Sequence, residues 1–165
     1  MATQTLAADR LATAKSSLVA SSSNLVLYDG VCGLCNRMVR FLLRIDRRKV
    51  LSFAPLQGPT AARLAERHGF PLAGFGDAGA SALRSMVYVR NFGLKRERAY
   101  LRSDAVLRTL GDVGGLWSLV SLLRVVPRFL RDPVYDWVAR NRYRWFGKHD
   151  SCPLPPPEQR ARFLP

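Results

Sequence analysis

Two cysteines with two residues between them, Cys32 and Cys35, are the side chains of this sequence best suited to chemistry. The apolar run at residues 24–28 predicts a buried strand, and the helical spacing of apolar residues over 32–45 predicts a helix directly after it. Residues three apart on a helix share a face, so the two sulfurs can bond. The helix N-terminus would stabilise a thiolate at Cys32, which predicts that Cys32 is the nucleophile and that Cys35 resolves the mixed disulfide.

Asp29 ends the predicted strand and precedes Gly30. A carboxylate at this position could exchange a proton with Cys35 during the reaction, as a general base close to its target does. An Asp-Gly pair is also common in turns, where the Asp side chain bonds the local backbone. The sequence leaves both interpretations open. Arg37, on the predicted helix, is the cation that we consider for stabilising the thiolate.

A second hypothesis for the two cysteines is a metal site. His149 and Cys152 are three residues apart, and with Cys32 and Cys35 they would complete a Cys₃His set suited to tetrahedral zinc. Zinc knuckles normally lie in turns rather than at the start of an apolar helix, so we favour Cys152 as a third redox-active or structural thiol. In the favoured interpretation no cofactor is bound, and the redox-active group is the Cys32–Cys35 disulfide.

The remaining pattern predicts one α/β domain, because 165 residues suit a single domain. We place it at residues 24–150, between a flexible N-terminal tail at 1–23 and a proline-rich, extended tail at 151–165. Predicted strands cover residues 24–28, 50–53, 85–89 and 98–101. Predicted helices cover residues 32–45, 59–68, 103–110, 116–124, 127–130 and 133–146. We expect the apolar residues of the last helix to pack on the sheet, namely Val134, Trp137, Val138, Tyr143 and Trp145.

The chain is strongly basic, with 26 Lys and Arg against 12 Asp and Glu and a net charge of +14. Such charge favours association with nucleic acid, anionic membrane or acidic protein partners. The cations are scattered along the chain, which argues against a dedicated nucleic-acid surface. An arginine–aromatic stripe at 140–146 and an amphipathic stretch at 116–130 keep an alternative open, a non-catalytic docking module for nucleic acid, a membrane surface or a larger assembly.

Three cysteines are too few for the disulfide framework of a small secreted protein, so we expect a cytoplasmic chain. Residues 1–24 lack the continuous apolar stretch of a secretory signal. We interpret them as a tail, with a transit segment to the mitochondrion or plastid as the alternative. No segment approaches the roughly 20 apolar residues of a transmembrane helix.

The chain resembles the DCC family of thiol–disulfide oxidoreductases in its stretch Tyr28-Asp29-Gly30-Val31-Cys32-Gly33-Leu34-Cys35-Asn36. The resemblance continues in family order at residues 53–57, 102–106, 134–136, 139–143 and 152. It implies a thioredoxin-like α/β fold, a small mixed sheet flanked by helices with additional C-terminal helices, and it carries the family's Asp and two Cys onto Asp29, Cys32 and Cys35.

The resemblance also implies a protein or small-molecule disulfide as substrate and an external thiol as reductant. Thioredoxin itself places a cis-proline before a strand that faces the disulfide. Residues 81–85, before the third predicted strand, contain no proline. We therefore expect either that substrate binding differs from that of thioredoxin or that the site acts on a small thiol.

Overall fold

The computed structural model describes residues 23–72, 86–149 and 157–165. Residues 1–22 of the predicted N-terminal tail, residues 73–85, which include part of a glycine- and alanine-rich loop predicted over 69–82, and Cys152 lie outside these ranges. The elements, in chain order, are β1 (Asn24–Tyr28), α1 (Gly33–Ile45), β2 (Leu51–Pro55), α2 (Pro59–His68), β3 (Val87–Arg90), β4 (Arg98–Leu101), α3 (Arg102–Val113), the 3₁₀ helix η1 (Gly115–Val125), α4 (Arg128–Phe146) and the 3₁₀ helix η2 (Pro157–Arg162).

The strands form one mixed sheet in the order β2-β1-β3-β4. β1 and β2 are parallel and are joined through α1, as a parallel pair requires. β3 is antiparallel to β1 and forms a hairpin with β4. This small mixed sheet flanked by helices confirms the predicted thioredoxin-like α/β fold class.

The first strand, β1, is buried along its whole length. Its side chains alternate between two cores, as the period of a strand dictates. Val26 and Tyr28 pack with residues of α1 and α3 on one face of the sheet, and Leu25 and Leu27 pack with residues of α2 on the other. Its cover on both faces explains the continuous apolar sequence of β1. The cysteine loop and the start of α1 follow directly after this buried strand.

One continuous helix, α4, replaces the two short helices predicted at 127–130 and 133–146. Pro133 lies in its second turn, where the missing N–H removes only the bond to the Phe129 carbonyl, so the prediction of two helices is wrong. Similarly, α3 runs through Gly111 and ends at Val113, and the helix predicted at 116–124 is a 3₁₀ helix.

The packing predicted for the apolar residues of the last helix is wrong for three of them. Val134, Trp137 and Trp145 are 62%, 54% and 47% exposed. The reason is that α4 packs against α1 and α3 rather than over the sheet. Tyr143 does pack against the core on the α1 side.

The C-terminal residues pack on the edge strand β2. Phe163 stacks on Phe53 with ring centroids 5.3 Å apart, and the Leu164 N–H donates to the Phe53 carbonyl at 2.8 Å. Arg162 forms an ion pair with the buried Asp46. Within the described part of the predicted extended tail, the chain is therefore a 3₁₀ helix followed by packed residues, because the β2 edge offers both apolar surface and free backbone groups.

Candidate active site

The two cysteines lie where β1 has ended and α1 begins, as the sequence predicts. Cys32 is the N-cap of α1, with extended backbone (φ −85°, ψ 123°), and its Sγ accepts a hydrogen bond from the Cys35 backbone N–H at 3.5 Å. The sulfur thus takes the place of the oxygen that usually caps a helix. Asn36 holds the loop, because its Nδ2 donates to the Gly30 carbonyl at 2.8 Å and to the Cys32 carbonyl at 3.1 Å.

Both thiols are free and buried, with Cys32 0% and Cys35 8% exposed. A hydrogen bond from the Cys35 thiol lowers the pKa of Cys32 to about 6; burial opposes this change, and the Cys35 N–H and the charge of Arg142 favour it. The same thiol–thiol hydrogen bond, burial and the charge of Cys32 raise the pKa of Cys35 far above its usual range. The two cysteines are therefore unequal, with Cys32 ionised near neutral pH and Cys35 holding the proton.

Asp29 is buried and accepts hydrogen bonds from both local and distant groups. The donors are Val31 N at 3.2 Å, Gln57 Nε2 at 2.9 Å, Arg142 Nη2 at 2.6 Å and the Tyr143 hydroxyl. The hydrogen bond from the Val31 N–H is the local backbone contact expected if Asp29 serves the turn, which is one of its two interpretations from the sequence. The other three connect the loop to the turn after β2 and to α4. The charge of Asp29 raises the pKa of both thiols, so Asp29 acts on them through its electrostatic field.

Arg142 of α4 is the cation of this site. It is 2% exposed, and its charge lowers the pKa of Cys32 and of Cys35. Its own pKa is raised, because the hydrogen bond with Tyr143 and the charges of Cys35 and Asp29 outweigh burial. Arg37, the cation considered from the sequence, is exposed and lies over the Phe146 ring, 5.5 Å from its centroid.

Residues 147–149, which follow α4, cover Cys32 and are called here the covering segment. The Gly33 N–H donates to the Gly147 carbonyl at 3.1 Å, and the His149 N–H donates to the Val31 carbonyl at 2.8 Å. These bonds pair the segment antiparallel to the loop, with Lys148 opposite Cys32. Gly33 permits the contact, since a Cβ there would lie 2.0 Å from the Phe146 carbonyl oxygen.

His149 therefore lies beside the cysteine loop through its backbone. The zinc hypothesis also needs Cys152, which is outside the described residues. Within the described ranges, no group of three or more His, Cys, Asp or Glu side chains could hold a metal ion.

A small apolar cavity of about 70 Å³ adjoins Cys35. Its lining includes Met38 of α1, Met86 before β3, and Tyr135 and Arg142 of α4. The Tyr135 hydroxyl accepts a hydrogen bond from the Met86 N–H at 3.1 Å. Cys35 thus lies at the seam between α1 and α4.

Sequence reasoning did not identify Arg142 and Tyr143 as site residues, because they lie 113 and 114 positions after Asp29. The available signal was the block at 139–143, one of those that resemble the DCC family.

A Cys-x-x-Cys pair at the start of the first core helix, on a sheet of this topology, defines a thioredoxin-like protein with a candidate dithiol site. The family model described as DCC1-like thiol-disulfide oxidoreductase matches residues 26–148. The chain belongs to this family, as the resemblance implies.

Two relatives support the assignment. The uncharacterized protein YuxK of Bacillus subtilis (strain 168) is 36% identical over 143 residues, which cover 87% of this chain and 95% of YuxK. The chloroplastic DCC family protein At1g52590 of Arabidopsis thaliana is 35% identical over 131 residues, covering 79% of this chain and 69% of the plant protein. No solved structure matches the chain.

Proposed function

We propose that this chain is a dithiol–disulfide oxidoreductase. The Cys32 thiolate attacks one sulfur of a substrate disulfide, forms a mixed disulfide and releases the other substrate sulfur as a thiolate. The Cys35 thiol then loses its proton and attacks Cys32 Sγ, which forms the Cys32–Cys35 disulfide and releases the second substrate thiolate. Two electrons pass from the protein to a protein or small-molecule disulfide, and an external thiol reductant returns them.

The observation that carries the proposal is the position of Cys32 at the N-cap of α1. The Cys32 sulfur accepts hydrogen bonds from the Cys35 N–H and from the Cys35 thiol, and these bonds stabilise its thiolate form. The thiolate is the nucleophile of disulfide exchange. A pKa of about 6 leaves most of Cys32 ionised at neutral pH. This supports Cys32, rather than Cys35, as the attacking thiol.

Asp29 and Arg142 have linked roles in the proposal. Formation of the mixed disulfide removes the Cys32 charge, which is one cause of the high pKa of Cys35. Asp29 then accepts the Cys35 proton as general base, while Arg142 compensates the negative charges of the site. The buried ion pair between Arg142 and Asp29 holds the carboxylate in place beside the cysteine loop.

The covering segment must move before Cys32 can meet a substrate, because Cys32 is fully buried beneath it. Two backbone hydrogen bonds hold the segment to the loop. Gly147 has a left-handed backbone (φ 75°), which is the point where the segment leaves α4. We propose that this segment opens to admit the substrate disulfide.

Trapping of the mixed disulfide tests the proposal. A Cys35→Ser variant incubated with a substrate-like aromatic disulfide should accumulate a stable adduct on Cys32, because nothing resolves it. A Cys32→Ser variant should form no such adduct while keeping a native circular dichroism spectrum. Folded Cys35→Ser protein that forms no Cys32 adduct would overturn the proposal.

Metal analysis of the same purified protein separates the proposal from the zinc alternative of Cys32, Cys35, His149 and Cys152. We expect no stoichiometric zinc. One equivalent of bound zinc would favour a structural metal site over the redox function, provided that Cys32→Ser loses both the zinc and folding stability.

The proposed location is the cytoplasm, where thiols stay reduced. The plant relative is a chloroplastic protein, which favours the plastid as the alternative location. A reporter fused to residues 1–24 distinguishes the two, because only a transit segment would carry the reporter into an organelle.

A further inference from the structure

Large apolar side chains are exposed on one part of this protein. In the described residues, 12 large hydrophobic side chains are exposed, and all except Leu94 lie on η1 or on α4. We call them the apolar surface: Leu116, Trp117, Leu119, Leu122, Leu123, Val125, Phe129, Leu130, Val134, Trp137 and Trp145. Monomeric proteins rarely leave so many apolar side chains together in water, so this surface marks an interaction site.

Most of this apolar surface lies apart from the contacts that hold the two helices to the domain, and Trp117 is its member that also packs edge-on against Phe41 of α1, with ring centroids 4.7 Å apart. η1 and α4 both pack against α3, and α4 also packs against α1. The most exposed members are Val125, Leu116 and Phe129, at 86%, 77% and 74% exposed. The apolar surface therefore faces away from the core.

Basic residues accompany the apolar surface. Residues 115–148 contain seven Lys and Arg against two Asp. The side chains of Arg124 and Arg128, which lie next to members of the apolar surface in the chain, are 43% and 68% exposed, and both approach Asp104, at 3.9 Å and 3.2 Å. Asp104 also pairs with Arg108 and Arg131, so among the described residues a single carboxylate forms ion pairs with four guanidinium groups, an excess of three positive charges in these pairs.

The composition of this region fits a membrane surface better than a second copy of the chain. All three tryptophans of the sequence, Trp117, Trp137 and Trp145, belong to the apolar surface, and tryptophan prefers the boundary between headgroups and acyl chains. Arginine side chains reach lipid phosphates while their stems cover apolar surface. Two copies joined through this region would bring their excess positive charges together.

We propose that the apolar surface docks this protein on an anionic phospholipid membrane. Leucine, phenylalanine and tryptophan side chains enter the headgroup boundary, and Arg124 and Arg128 bind lipid phosphates. The protein lies on the membrane rather than across it, since no helix in the described ranges is long and apolar enough to span one. This docking does not depend on the redox chemistry of Cys32.

Vesicle flotation of the full-length protein tests the proposal, with phosphatidylcholine vesicles that contain or lack phosphatidylglycerol. We expect flotation with the anionic vesicles and a blue shift of the tryptophan emission, which here reports only on the apolar surface. The double variant Leu119→Ser/Phe129→Ser should lose at least tenfold in vesicle affinity. Its control is Leu94→Ser on the β3–β4 hairpin, which is exposed to the same degree as Leu119, at 57% against 58%.

A second pair of variants tests the charge. Arg124→Gln/Arg128→Gln should weaken binding to anionic vesicles, and Arg96→Gln/Arg98→Gln on the hairpin should change it much less. Absence of flotation at low salt, or equal losses in the test and control variants, would overturn the proposal. So would a concentration-dependent dimer that Leu119→Ser/Phe129→Ser dissociates, without any vesicle binding. Because these readouts are independent of thiol chemistry, they do not share an outcome with the Cys32 trapping experiment.

Discussion

Arg142 near the end of α4 forms an ion pair with Asp29 just after β1, with 2.6 Å between Nη2 and Oδ2, and their side chains are only 3% and 5% exposed. The pair joins the two ends of the candidate active site, the loop before the cysteines and the helix that ends above them. Its burial makes each charge depend on the other, because an unpaired buried charge is strongly unfavourable.

Replacement of Arg142 by Met should therefore affect stability and reactivity together. We expect the free energy of unfolding to fall by about 3–5 kcal/mol, because Asp29 is left as an uncompensated buried charge. The pKa of Cys32 should rise, since Arg142 lowers it. Urea unfolding and the pH dependence of alkylation measure the two effects.

The exposed Arg144 provides the matched control, and Arg144→Met should leave both quantities nearly unchanged. Arg142→Lys retains the charge and keeps the test informative if Arg142→Met does not fold. A normal pKa of Cys32 in a folded Arg142→Met protein would contradict the electrostatic role of Arg142.

Stability should depend on pH through Cys32. Its folded pKa of about 6 lies below the pKa of about 8.5 of an unfolded cysteine, so the unfolded state binds more protons between these values. The stabilisation from this thiol is thus present above about pH 8.5 and is lost as the pH falls towards 6. Between about pH 6 and pH 8.5, the free energy of unfolding of the wild type should rise relative to that of Cys32→Ser, by at most about 1.4 kcal/mol per pH unit. Urea midpoints at several pH values measure this, and a flat difference would contradict it.

Gly33→Ala should open the covering segment. The added Cβ would lie 2.0 Å from the Phe146 carbonyl oxygen, a backbone atom that must move. We expect faster alkylation of Cys32 and a loss of about 1–3 kcal/mol of stability, as overpacking typically costs. Gly111→Ala, in α3, is the control and should not change alkylation. Slower or unchanged alkylation in Gly33→Ala would show that this segment does not limit access.

Phe163→Ala tests the packing of the C-terminal residues on β2. Phe163 contacts both Phe53 and Tyr28, with ring centroids 5.3 Å and 6.4 Å away. Loss of these contacts should lower the free energy of unfolding by about 2–4 kcal/mol, a partial version of a core Phe→Ala change. A shift in thermal midpoint no larger than that of the exposed Phe129→Ala would contradict this packing.

The parts of the structure that depend on local sequence were predictable. The buried strand β1, the cysteines at the start of α1 and the turn contact of Asp29 follow from an apolar run, a helical period and an Asp-Gly pair. The mixed sheet also agreed with the predicted fold class. For β1, α1 and Asp29 the determining residues are neighbours in the chain, whereas the fold class came from the resemblance to the DCC family.

The parts that depend on distant residues were not predictable. Nothing local marks Arg142 as the partner of Asp29, because the pairing arises only when α4 packs beside α1. Likewise, Trp137 and Trp145 have the composition of a core stripe, and only the position of α4 leaves them exposed. Pro133 led to the prediction of two separate helices. The sequence alone does not show that this proline lies in the second turn of one helix, where it removes only the hydrogen bond to the Phe129 carbonyl.

The most direct test of the central claim, that Cys32 is the activated nucleophile, is its alkylation rate as a function of pH in the wild-type protein, with the modified residue identified by mass spectrometry. Iodoacetamide should modify Cys32 before Cys35, and the rate should rise with a midpoint at about pH 6. A midpoint at or above the value of about 8.5 for a free cysteine, or preferential modification of Cys35, would contradict it.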